Sequence, residues 1–243
     1  MDKAIEEYIM HGENQLTYFF PVLLEEFHSA EFLENVRRKF HFEEEHTDEI
    51  RKVAEEMLPV MQKEAFWVST AYSMRYQGQT QDTDTTYEKA AISLGKGVDI
   101  LQASYSEKGL LMQSYIVEIL AGELLMRGYD AYNRSVAAHT DRHVARYHFP
   151  GSEEAFPLEI LPDLLKDLTQ EITCNAAFCM IPKKSVVFVS ELTRDDTVHC
   201  QGICAGCGNS TCPNRTAADP LIRKRMTDLP LTYGYSRIFG IHT

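Results

Sequence analysis

The sequence predicts an α+β fold: a helical N-terminal segment packs with a mixed or antiparallel sheet and long helices, and a cysteine-rich loop follows. Three observations predict it. Apolar residues recur at helical spacing through the first quarter of the chain. Compact β-branched and aromatic runs stand at 66–72 and 185–190. Helical and strand-like segments succeed one another without the strand–helix–strand regularity of a doubly wound sheet.

Residues 1–64 read as helices. Val22, Leu23, Leu24 and Phe27 follow Pro21 at helical spacing, and Phe32, Leu33 and Val36 continue the pattern. Thr47-Asp48-Glu49 opens another helix, with Ile50, Val53, Met57 and Met61 on one face. Phe66-Trp67-Val68-Ser69-Thr70-Ala71-Tyr72 reads as a strand. The stretch 77–85, with Gly78 and repeated Asp and Thr, reads as an exposed loop. Tyr87 to Leu94 reads as a second strand, stopped by Gly95-Lys96-Gly97. One long helix is expected from about Glu107 to Tyr132, and a short one from Leu158 to Leu168. Ser185 to Ser190 is the clearest strand, and the segment carrying His139, His143 and His148 reads as loop-rich. The chain then divides into an acidic helical segment (1–64), an α+β domain (65–198), and a cysteine-rich metal loop with its tail (199–243).

The chain has 243 residues and a formal charge of −12, a balance that excludes a nucleic-acid or anionic-membrane surface, which needs clustered cations. Residues 1–64 hold 16 acidic against 7 basic side chains, so most of the excess lies there; a solvated helical face is the plain reading, a docking face for a basic partner the sharper one. No run approaches the roughly 18 apolar residues of a membrane span. The N-terminus lacks a basic-then-apolar leader, so a cytoplasmic, reducing location is expected, with cysteines as thiols or metal ligands rather than disulfides.

Four of the six cysteines lie within thirteen residues: Cys200, Cys204, Cys207 and Cys212, spaced C-x3-C-x2-C-x4-C-P. Three glycines between them let the backbone turn sharply, and their amides can hydrogen-bond inorganic sulfur. Such a loop can wrap one metal centre. A [4Fe–4S] cluster fits best, because structural zinc usually takes two separated C-x2-C pairs; tetrahedral zinc and a metal-free redox dithiol remain the alternatives. Cys174 and Cys179, in an apolar run, read as core thiols. The spacing of His139, His143 and His148 invites a metal hypothesis, but the segment shows no interleaved pattern of acidic ligands. Neither a Walker phosphate loop nor a Gly-x-Ser-x-Gly elbow is present.

Several pieces in order carry a resemblance over roughly residues 65–217. They are Ala90-Ala91-Ile92-Ser93-Leu94-Gly95, the helix Ser114 to Glu123, the loop Arg146-Tyr147-His148-Phe149-Pro150-Gly151, the stretch Pro182-Lys183-Lys184-Ser185-Val186, and Cys204-x2-Cys207-x4-Cys212-Pro213-x-Arg215. Together they resemble the activation domain of cobalamin-dependent methionine synthase, and more closely the stand-alone bacterial relatives of that domain. The loop departs from the family pattern by one extra residue between Arg146 and Pro150-Gly151, and by Ser152 in place of an aromatic.

The resemblance implies a fold of the activation-domain kind and a domain that binds S-adenosylmethionine to restore methylcobalamin from an oxidised corrinoid. It implies Arg146 for the ligand carboxylate, Glu118 for its cationic groups, and Phe149, Pro150 and Gly151 as the bordering backbone. The sequence shows no corrinoid-binding module, so the cobalamin would sit on a partner, a corrinoid protein or a cobalamin-dependent methyltransferase, with a separate electron-donor protein. The expected role is accessory: reductive activation or methylation of that cobalamin through an iron–sulfur loop, whether or not the chain itself turns over as an enzyme. The alternative is a non-catalytic zinc- or cluster-stabilised module that docks on such a partner.

Overall fold

The computed structural model describes the backbone of 8–10 and 15–19 and residues 27–72, 85–152, 154 and 156–198. The protein is α+β. Its main sheet is antiparallel throughout, built on β3 (Phe66–Tyr72), β4 (Thr86–Ser93), β8 (Ser185–Thr193) and β5 (His143–His148), in that spatial order. Beyond β3 the sheet continues into β2 (Gln15–Phe19) and β1 (Tyr8–Met10). These two strands correct the expectation that residues 1–64 are all helical. Gln15-Leu16-Thr17-Tyr18-Phe19 is aromatic and β-branched enough to pair, and the free edge of β3 supplies the partner, with Thr17 opposite Val68.

Helix α1 (Ala30–Lys39) starts where Ser29 accepts the Phe32 amide at 3.2 Å, and ends with Arg37, Arg38 and Lys39 against its negative pole. Helix α2 (Thr47–Glu64) buries Ile50, Val53, Ala54, Met57 and Met61, as the periodicity requires. The long helix expected from about Glu107 to Tyr132 is present as α4 (Leu111–His139), and a further helix that was not expected, α3 (Lys96–Glu107), precedes it and joins it through Gly109 at φ 72°. The glycines that read as a stop do follow the end of β4 at Ser93, and they also begin α3. A Cβ on Gly97 would sit 2.0 Å from Val60 Cγ1, and one on Gly95, at φ +88°, would sit 2.3 Å from Glu64 Cβ. Only glycine lets the start of α3 lie this close to the end of α2. Glu64 Oε2 then accepts the Gly97 amide at 2.7 Å, serving as the cap that Gly95 cannot provide.

The short helix is smaller than expected: a 3₁₀ turn at Leu158–Ile160 leads into α5 (Leu161–Lys166). The histidine segment is not loop-rich: His139 ends α4, and His143–His148 is strand β5. A small second sheet pairs β6 (Thr173–Cys174) with β7 (Met180–Ile181). Cys174 is half-buried and packs against the hydrophobic core around α5, as a core thiol would, whereas Cys179 is exposed, which corrects its reading as a core thiol: the ribbon's turn carries it to the surface.

The sheet is buried on both faces. Phe188 and Leu192 of β8 face a core formed with α1–α4, which runs without interruption from Phe27 through Met61 and Trp67 to Tyr147. That core crosses position 64 with no seam. Val187 and Val189 face the other way, onto Leu161, Leu164, Leu165 and Leu168 around α5. Among the described residues no helix is long and apolar enough to cross a membrane.

Candidate functional site

The polar end of β5 and β8 lies where the chain runs toward its cysteine motif. Arg146 faces Glu191 across the strand pair, after a break in register between Val144 and Arg146. The His148 ring is almost fully enclosed, with Nε2 3.4 Å from Glu191 Oε2 and its ring beside Tyr87 and Phe156. Burial raises the Tyr87 phenol above its usual range, Glu191 adds to this, and Arg146 opposes it. So Tyr87, Arg146, His148 and Glu191 form one cluster on the face away from α4. Beside it is a cavity of about 460 Å³, lined by Thr85, Ala145, Glu191, Thr193, Arg194 and Asp195. Hydrogen bonds from the Thr197 hydroxyl and amide hold the Asp195 carboxyl below its usual range. Val198 also borders the cavity, and its carbonyl contacts His143 Nε2 at the head of β5.

Glu118 is elsewhere. It projects from α4 to Lys184 Nζ, which it contacts, and accepts from Gln102 Nε2 at 2.9 Å. Partial burial pushes the carboxyl up, but the bonds from Lys184 and Gln102 prevail, so it stays below the usual range. Lys184 precedes β8 and Arg146 pairs near that strand's far end, so seven residues, roughly 20 Å, separate the two positions along the sheet. They also belong to opposite faces. The carboxylate and ammonium of one amino-acid ligand sit on a single carbon, so the expected pairing of Glu118 with Arg146 around one such ligand is not formed. Phe149 packs into the core, 6.2 Å from Tyr129 and 6.1 Å from Tyr147. Pro150 is half-buried; Gly151, at φ +81°, donates its amide to Phe156 O at 2.8 Å and lies against Leu158.

Cys200, Cys204, Cys207 and Cys212 lie outside the described residues. Among those described, no three His, Cys, Asp or Glu side chains gather as metal ligands. The histidine trio is dispersed accordingly: His139 bonds Ser135 on α4, His143 meets Val198, and His148 is enclosed beside Glu191.

Two features escaped the sequence reading. One is a buried polar chain: Tyr132 OH donates to Glu88 Oε2 at 2.5 Å and contacts Ser190 Oγ, while Ser69 Oγ donates to Glu88 Oε1 at 3.0 Å. Glu88 shares the alternation of Ala90 and Ile92, so an inward carboxylate was legible from β4. The other is a cleft of about 900 Å³ below β3, whose lysines come from three separated segments and leave no sequence signal. Compared with known proteins, the chain matches no family model and no curated sequence.

Proposed function

We propose that this chain is an accessory protein of corrinoid-dependent methyl transfer, supporting reductive activation or methylation of a cobalamin carried by a partner. The observation that carries the reading is the donor set: four thiols within thirteen residues, separated by three glycines and followed by Pro213. Thiolates suit iron–sulfur and zinc alike, and their compactness favours [4Fe–4S]. When bound, such a centre supplies one-electron transfer at low potential. Cys200, Cys204, Cys207 and Cys212 would hold it. The motif begins two residues after Val198, and Val198 borders the cavity next to the Tyr87–Arg146–His148–Glu191 cluster. Arg146 has the fork geometry for a carboxylate, and S-adenosylmethionine binding rests on it and the 149–151 turn rather than on Glu118.

The second reading is a non-catalytic zinc- or cluster-stabilised module that docks on a corrinoid protein or methyltransferase. The separation of Glu118 from Arg146 favours it. Metal and sulfide analysis of anaerobically purified protein discriminates. A brown protein with about four iron and four sulfide per chain is expected, lost on Cys207→Ala; a colourless protein with one zinc assigns the second reading. Calorimetry with S-adenosylmethionine is expected to show binding that Arg146→Ala abolishes and Glu118→Gln leaves intact. Absence of binding by the wild type removes that ligand from the proposal.

A further inference from the structure

The cleft of about 900 Å³ lies between the end of α2, β3, the start of α3 and the turn after α5. We infer that it binds a small molecule carrying an anionic group on an apolar body, a role independent of the metal loop. The volume is that of a small-molecule site. Phe66, Val68 and Leu168 are buried and give it an apolar floor, with Pro182 at one side. Three lysines, Lys63, Lys96 and Lys166, stand on the rim.

Charge decides what such a cleft takes. Three carboxylates also line it, but two are already engaged: Glu64 accepts the Gly97 amide at 2.7 Å, and Asp167 lies 3.8 Å from Lys89 Nζ. Glu171 is the third, and it is exposed. None of the three rim lysines has a hydrogen-bond or ion-pair partner among the described residues. Lys89, the partner of Asp167, is itself buried, which lowers its affinity for the proton. The lining balances formally, three lysines against three carboxylates, and on a chain of net charge −12 a neutral lining whose three ammonium groups have no ion-pair partner among the described residues runs against the overall field. The start of α3 is not itself the anion site, because Glu64 occupies it. The ammonium groups therefore select the anion, and the Phe66–Val68–Leu168 floor retains its apolar part.

The test uses the full chain and two probes with the same ring system and opposite charge, 1-naphthoate and 1-naphthylmethylammonium, followed by calorimetry. Naphthoate is expected to bind saturably, more weakly at higher salt, and about tenfold more weakly to the Lys63→Ala/Lys96→Ala/Lys166→Ala variant. The ammonium probe is expected not to bind. A third arm with 1-naphthyl phosphate assigns the anion: tighter binding than naphthoate identifies a phosphoryl ligand, weaker binding a carboxylate. The lysines are exposed, so the variant keeps its fold, checked by an unchanged melting temperature. Equal binding of the two opposite charges, undiminished naphthoate binding by the triple variant, or no naphthoate binding at all overturns the proposal.

Discussion

Phe188→Ala is expected to lower folding stability by about 3–5 kcal/mol, read as a fall in the guanidinium midpoint at unchanged slope. Phe188 is fully buried at the centre of β8. Its ring centroid lies 5.2 Å from Tyr129, 5.2 Å from Tyr132 and 5.1 Å from Tyr147, with Phe149 at 6.2 Å. Truncation removes the transfer energy of the ring, leaves a cavity, and strips an edge-to-face partner from Tyr132 and Tyr147. Those neighbours are anchored elsewhere, Tyr132 to Glu88 and Tyr147 to Asn133, so they cannot collapse inward cheaply. Because Phe149 leads into the Pro150–Gly151 turn, the same substitution loosens the route from β5 to that turn. A loss below about 1 kcal/mol would show that this aromatic group does not form the core.

Glu88→Gln is expected to stabilise the protein at neutral pH by about 1–2 kcal/mol and to have almost no effect in acid. Burial raises the Glu88 carboxyl above its usual value of 4.5, and the Tyr132 and Ser69 hydroxyls only partly counter this. The folded state therefore holds the proton more tightly than the unfolded chain does. The contribution is fully present below about 4.5 and is lost as the pH rises through the higher folded-state value. Above that value the fold must keep a carboxylate among hydroxyls, with no cation among the groups acting on it. Glutamine is neutral throughout; it can accept from Ser69 and donate to the Tyr132 oxygen, leaving Tyr132 to donate to Ser190. Denaturation midpoints of wild type and variant between pH 4 and pH 8 should diverge as pH rises. Parallel curves would show a carboxyl whose proton affinity folding does not change, and a wild type that gains on the variant as pH rises would place a stabilised carboxylate at Glu88.

What the sequence made legible follows from the range of each interaction. Helix α2 was readable because Ile50, Val53, Met57 and Met61 repeat a local period, and β3, β4 and β8 because β-branched and aromatic residues cluster. Strand β5 was not readable: the break in register between Val144 and Arg146 puts its inward residues, Val144 and Tyr147, three apart, and the period of two disappears. Helix α3 was hidden by Gly95 and Gly97, whose role is defined by Val60 and Glu64 more than thirty residues away. The site divides in the same way. The cysteine spacing is local and visible, whereas the attachment of Glu118 to Lys184 spans 66 residues and redirects a side chain that the helix alone left open.

The order of strands also sets an order in time. Among the described residues strand β8 is the last of the main sheet, yet it lies between β4 and β5. Until residues 185–193 have been synthesised, β4 lacks its neighbour on that side and β5 has no pairing partner at all. A nascent chain ending before Ser185 therefore presents open strand edges, the kind of surface that templates aggregation. The arrival of β8 closes a span of about a hundred residues in one event, and such long-range pairing is slow. The segment that completes the sheet is also the one that leads directly to the cysteine motif, so during synthesis the scaffold is sealed only as that motif emerges.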